Sequence, residues 1–298
     1  MQKQSNFNLW AMALKTGIIK SNLIPMVAGL MLALYTYELS FRDNLSNIVY
    51  AILGTAAVIA AAGSFNNLYD RDIDVVMQRT KNRPTVTGEL SPKLILVVGI
   101  TLLLIGIGLL ALTTPLASFL GFLGVFFYVV PYTIWTKRRT IWNTEVGSIS
   151  GAMPPLIGWA AVAPDIWHPA AWALFIIVMI WQMPHFYAIA LRKKDDYAAA
   201  NIPMLPVVKG ERRTYIQSNI YLVLLILTSF LFLPLSLGLT FVSVILGAIW
   251  LSMSIMGYHK KEGKKWANRM FVYSLFHMMF IFCTVIIYAA IGLILNEH

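Results

Sequence analysis

Three oxygen-bearing side chains recur at regular intervals in the stretch AAGSFNNLYDRDIDVVMQRTKNRP: Asn66, Asp70 and Asp74, spaced i, i+4, i+8. At 3.6 residues per turn each step of four drifts by only about 40°, so on a helix the three share one face. Carboxylates stacked in this way repel each other even in water, and desolvation near lipid adds to the cost. A hard cation removes the conflict. Mg²⁺ takes oxygen ligands and is commonly held by one or two carboxylates together with substrate phosphates. Arg79, Lys81 and Arg83 follow within a few residues. Carboxylates for a metal beside cations for phosphate oxygens are the set that a diphosphate group asks for. The plainer reading is a solvated helix end, with Asp70, Asp72 and Asp74 balanced by Arg71 and Arg79. The chain has only 13 acidic residues, and three of them fall within five positions here, which favours a site.

A second acidic pair, Asp195 and Asp196, lies in WQMPHFYAIALRKKDDYAAANIPMLPVVKG, just after Arg192, Lys193 and Lys194. Upstream, Gln182, Pro184 and His185 interrupt an apolar run. Polar residues in such runs face the interior of a bundle, and Pro184 predicts a kink. His185 reads as an axial ligand, a proton donor or a hydrogen-bonded core histidine. His277 reads as a satisfied interior residue, and His168, His259 and His298 as solvated. A third polar patch, WNTEVGSISGAMPPLIGW, carries Asn143, Thr144 and Glu145. Its Gly147, Ser148, Ser150, Gly151 and Ala152 suit close helix packing, and Pro154–Pro155 predicts a bend or break beside a cavity.

The elements that must position these groups follow from composition. The 298 residues are 58% hydrophobic and 12% charged, with mean hydropathy +0.71. A soluble domain carries about 25% charged residues, so a soluble globular enzyme, a disordered chain and a nucleic-acid binder are excluded. The fold class is all-α, because the apolar runs are too long and too uniform for barrel strands. Nine transmembrane helices are predicted, at about 18–37, 48–69, 93–112, 115–135, 143–163, 169–191, 215–236, 239–257 and 271–294. They are expected to surround a central cavity open to the cytoplasmic side. Residues 1–298 read as one domain, with 1–17 an N-terminal cytoplasmic segment and 70–92 and 192–214 functional cytoplasmic loops. The first run has no short apolar core with a small-residue cleavage site, so it reads as a retained span. Trp10 and Met12 ahead of it suit an interfacial helix.

With nine spans, 22 of the 23 basic residues fall on one side and only Arg42 on the other. The positive-inside rule then puts the N-terminus in the cytoplasm and the C-terminus outside the cell (inner) membrane. The net charge of +10 is thus mainly an orientation signal, with no nucleic-acid partner implied. The single cysteine, Cys283, allows no disulfide within the chain.

NxxxDxxxD at Asn66, Asp70 and Asp74, followed by RTxxRP at Arg79–Pro84, resembles the UbiA-type intramembrane prenyltransferases. The stretches WNTEVGSISGAMPPLIGW, MPHFYAIAL and DDYAAANIPMLPVVKG are similar to the haem-modifying branch of that superfamily. The resemblance implies a farnesyl diphosphate donor, Mg²⁺, and the vinyl group of protohaem IX as acceptor, with haem a substrate rather than a cofactor and water supplying a hydroxyl. It implies that Asn66, Asp70 and Asp74 hold Mg²⁺–diphosphate, that Arg79, Lys81 and Arg83 assist, and that Asp195 and Asp196 form the second acidic cluster. Asp70, Asp74 and Asp196 are then the catalytic residues. The lipid bilayer and haem A synthase are the implied partners. The wider superfamily often has a second DxxxD, but Arg192 stands four positions before Asp196. Arg192, Lys193 or Lys194 is therefore expected to meet diphosphate or a haem propionate. Tyr128, Tyr132, Phe186 and Tyr187 read either as aromatic faces that stabilise an allylic cation or as lipid-facing or packing aromatics. Competing readings are a UbiA-type enzyme for an aromatic, quinone or chlorophyll-type acceptor, a secondary transporter, and a haem-binding scaffold.

Overall fold

Proline and a capping side chain start several of the long apolar helices. Ser91 Oγ, Thr114 Oγ1 and His168 Nδ1 accept from the backbone N–H of Leu94, Ala117 and Ala170, and each cap is followed by proline at the first helical position. His168 therefore caps a helix and stacks on Trp159, instead of being merely solvated as its sequence context predicts. The structure, a computed structural model, describes residues 5–259 and 263–296. Lys3, Lys260, Lys261 and His298 lie outside the described residues, as does the side chain of His259.

The described chain is all-helical. A short helix α1 (Asn6–Ala13) precedes α2 (Thr16–Thr36) and α3 (Leu45–Tyr69). The one-turn α4 (Arg71–Val76) follows directly, then α5 (Pro92–Ala111) and α6 (Pro115–Thr136), whose last nine residues, Tyr128–Thr136, wind as a π-helix around Pro131. Next come α7 (Asn143–Ala160), α8 (Pro169–Arg192) and the short α9 (Lys194–Ala199). The chain ends with α10 (Gly210–Thr228, extended by a 3₁₀ turn Ser229–Phe232), α11 (Leu237–His259) and α12 (Lys264–Asn296).

Among the described residues eight helices are long and apolar enough to cross a membrane. The sequence predicts nine, and the difference is α7. It forms as a helix of 18 residues, but it carries Asn143, Thr144, Glu145, Ser148 and Ser150, which lower its apolar character. Protein buries it instead: Ala152–Ala161 are all buried, and α7 packs on α2, α6 and α8. The contact with α2 is backbone to backbone. A Cβ on Gly29 would lie 2.0 Å from the Pro155 carbonyl oxygen, and one on Gly158 would lie 2.0 Å from that of Met26, so only glycine allows the two helices to approach this closely. Neither Pro154–Pro155 nor Pro184 breaks its helix.

Two loops at the basic end of the bundle meet through a small apolar cluster of their own. Ile73 and Met77 from the first pack with Ala200, Ile202 and Met204 from the second, on Ala190 of α8. This satellite core brings the two acidic stretches, distant in sequence, to one place.

Candidate functional site

Helix α3 ends at Tyr69, yet the i, i+4 relation survives the junction. The Asp70 amide bonds to the Asn66 carbonyl at 2.9 Å and the Asp74 amide to the Asp70 carbonyl at 2.8 Å. Asn66, Asp70 and Asp74 consequently face inward together, with relative exposures of 3%, 0% and 2%. Asp72, out of phase, faces out and is chelated by Arg138 through two contacts of 2.7 Å. That guanidinium holds the Asp72 carboxyl below the usual carboxylate range.

Buried carboxylates need partners; Lys137 and Arg83 supply them, and a third cation, Lys15, joins through Asn66. Lys137, just after α6, donates to Asp70 Oδ2. Arg83 pairs with Asp74 Oδ2 at 2.5 Å. Lys15, between α1 and α2, donates to Asn66 Oδ1 and lies 5.9 Å from the Tyr128 ring. The amide of Asn66 completes the group, donating to Asp70 Oδ2 at 2.7 Å and to Thr133 Oγ1 at 3.1 Å. Burial presses the Lys15 ammonium well below the usual lysine range, helped by Arg83 and Lys137 nearby. Burial also lowers Lys137, against the opposing pull of Asp70. Positive charge concentrated in so small a space is unfavourable alone and favourable beside an anion.

Asn66, Asp70 and Asp74 suit a hard divalent cation. All their donors are oxygen on one face, and Asp70 Oδ1 is buried without a hydrogen-bond partner. Among the described residues no group of three or more His, Cys, Asp or Glu side chains converges to cage a metal. Two carboxylates and an amide therefore fit an ion that completes its shell with phosphate oxygens and water, as Mg²⁺ does.

The other sequence-predicted residues are spread more widely. Arg79 is exposed and its charge lies near Tyr197 of α9, where the first loop approaches the second. Lys81 and Lys193 are exposed. Asp196 is half-buried beside Tyr197, whereas Asp195 is exposed and 3.9 Å from Lys264. Arg192 places its guanidinium 4.4 Å over the ring of Phe271 on α12. His185 is buried between α8 and α12, its Nδ1 2.6 Å from Ser274 Oγ. His277 is interior as expected, but neither ring nitrogen has a hydrogen-bond partner.

Of the expected aromatic faces, Tyr128 and Tyr132 lie together, 5.5 Å apart, beside Lys15. Phe186 is 39% exposed. Tyr187 is buried with its hydroxyl committed to Glu145, a carboxylate that also accepts from Gln217 and Tyr221 at 3.3 Å. Sequence reasoning missed Lys15 and Lys137 as site residues because both are absorbed by the positive-inside count. The one local hint was Pro131 at a span end, which announces irregular backbone just before Lys137.

The fold and this charge arrangement define a polytopic, all-helical membrane protein with a buried cluster of oxygen and cationic side chains at the basic end of its bundle. A sequence profile described as the UbiA prenyltransferase family matches residues 22–294, and the chain belongs to that family. It is 62% identical over 283 residues to a protein named protoheme IX farnesyltransferase 1 from Bacillus cytotoxicus, covering 95% of this chain and 93% of that one. It is 60% identical over 297 residues to protoheme IX farnesyltransferase 2 of Lysinibacillus sphaericus, covering 99% and 94%. Among solved structures, a UbiA homolog from Archaeoglobus fulgidus bound to GPP and Mg²⁺ superposes with a TM-score of 0.72 at 15% identity, covering 93% of this chain and 99% of that one. A digeranylgeranylglyceryl phosphate synthase superposes with a TM-score of 0.75, also at 15% identity, covering 95% and 98%.

Proposed function

We propose that this protein is a membrane prenyltransferase that moves a farnesyl group from farnesyl diphosphate to the vinyl group of protohaem IX. The observation that carries the reading is the buried set Asn66–Asp70–Asp74 interlocked with Lys15, Lys137 and Arg83. The names of the relatives supply the donor and acceptor. Bound at Asn66, Asp70 and Asp74, Mg²⁺ would neutralise and orient the diphosphate. Lys15, Lys137 and Arg83 are placed to meet the negative charge that develops as the allylic C–O bond breaks. Arg79 and Lys81 draw the anion in from the loop surface. Asp196, half-buried on the second loop, is the carboxylate of that loop that serves the site, and Asp195 and Lys193 guide substrates at the rim. The faces of Tyr128 and Tyr132 line the path of the allylic cation and exclude water from it. The electron-rich vinyl carbon then adds to the cation, and water captures the resulting charge on the porphyrin side.

In this reading the substrates enter a central cavity open to the basic end. That end faces the cytoplasm of a bacterial inner membrane, the N-terminus is cytoplasmic and the C-terminus extracytoplasmic. The product passes to haem A synthase. The test is incubation of the purified protein with labelled farnesyl diphosphate, Mg²⁺ and a panel of acceptors: protohaem IX, aromatic acids, quinone precursors and chlorophyllide. Farnesylated haem alone is expected by mass analysis. Label on an aromatic acceptor, with none on haem, would overturn the assignment.

A further inference from the structure

His185 is held in one tautomer. Ser274 has a single hydroxyl proton, and it is donated to the Phe271 carbonyl at 2.6 Å. Ser274 Oγ must then accept at its second contact, the 2.6 Å approach of His185 Nδ1. Nδ1 therefore carries the imidazole proton and Nε2 carries the lone pair. No hydrogen bond among the described residues reaches Nε2. The ring orientation is fixed as well. Trp181 stacks on it at 4.6 Å and 19°, and Phe271 at 5.3 Å and 29°. Trp181 Nε1 in turn donates to the Ser274 carbonyl at 3.0 Å. An imidazole with its Nδ1–H tied to an acceptor and its Nε2 lone pair free is the arrangement in which histidine binds a transition metal. His277, one turn along α12, lacks it: neither of its nitrogens is bonded, so nothing sets its tautomer.

A cation lies on the same face. Arg192 is seven residues after His185, about two turns and about 10 Å along α8, and its guanidinium covers the ring of Phe271 that His185 stacks against. An imidazole lone pair in the apolar interior and a guanidinium two turns nearer the surface match a planar, iron-bearing tetrapyrrole with its acid groups at one edge. We propose that His185 Nε2 is an axial ligand to the iron of the acceptor and that Arg192 meets one of its propionates, so that the acceptor binds along α8 and α12. This rests on the haem-acceptor reading above. It separates the acceptor's contacts from the cations that hold the diphosphate.

The test uses the full chain in nanodiscs, titrated with ferric protohaem IX and followed by absorption and electron paramagnetic resonance. The wild type is expected to show an imidazole-ligated iron. His185→Gly is expected to lose that signature and regain it when free imidazole is added. Ser274→Ala keeps the ring but frees its tautomer, and is expected to weaken haem binding about 10-fold or more. Arg192→Met is expected to weaken haem binding with the iron signature and farnesyl diphosphate affinity unchanged. A His185→Gly protein that unfolds at the wild-type temperature and retains the wild-type signature would overturn the ligand assignment while leaving farnesyl transfer to haem intact. If His185→Gly does not fold, Ser274→Ala decides: wild-type affinity and signature would overturn it. Loss of farnesyl diphosphate affinity in Arg192→Met would overturn the propionate contact. A wild type that neither binds nor farnesylates haem removes this inference together with the haem-acceptor reading.

Discussion

The two acidic stretches look alike in sequence and differ in structure. Asp70 and Asp74 are sealed in the protein, and Lys137 and Arg83 from other segments complete them. Asp195 and Asp196 open the short helix α9, where carboxylates suit the positive end of the helix dipole, and among the described residues Asp195 pairs with Lys264 alone, at 3.9 Å. Acidic residues at a span end therefore mean different things according to whether cations are buried with them. The first stretch is built to hold an opposing charge. The second packs on the first through the apolar contacts of Ala200, Ile202 and Met204, with Tyr197 near Arg79.

The largest effect should come from the first stretch. Asp70→Ala is expected to reduce farnesyl transfer by about 10³-fold, about 4 kcal/mol of transition-state stabilisation, measured on purified protein. Near-wild-type turnover would show that burial of this carboxylate serves only packing. Lys137→Met should cost about 100-fold in kcat, because a cation facing the leaving group is lost; a change confined to KM would move Lys137 out of that role. Asn66→Ala is expected to raise the Mg²⁺ concentration giving half-maximal rate by about 10-fold, read from a metal titration. Ile202→Ala removes an apolar contact between the two loops, and faster amide hydrogen exchange in residues 194–208 should report the loosened loop. Asp195→Ala, at an exposed position, should alter activity less than about twofold. A loss as large as that of Asp70→Ala would erase the contrast between the two stretches.

Much of the fold is legible in the sequence because lipid imposes a single rule on it: long apolar runs must be helices. The inward register of Asn66, Asp70 and Asp74 was equally legible, since a four-residue spacing has one meaning on a helix. Helix α7 reads in the sequence as a span opened by a polar patch and bent or broken at Pro154–Pro155; it runs unbroken, and its polar residues are tolerated because other helices cover them. Of the cations in this group only Arg83, nine residues after the Asp74 it pairs with, was legible. Lys15 and Lys137 are 51 and 67 residues from the side chains they bond, and nothing local separates them from the charges that orient loops. The pairing of His185 with Ser274 spans 89 residues and was hidden for the same reason. The expectation for Arg192 left diphosphate and propionate open; its position over Phe271 on α12 favours the propionate.

Lys15 reaches Asn66 from a left-handed backbone turn, at φ 54°, and the Ala13 carbonyl just before it accepts from Asn67 Nδ2 at 2.7 Å. The leading helix is thereby strapped to the last turn of α3, directly ahead of Asp70 and Asp74. A purification tag or fusion partner joined ahead of it pulls on this strap, and the handle that leaves the pocket undisturbed belongs at the other end of the polypeptide.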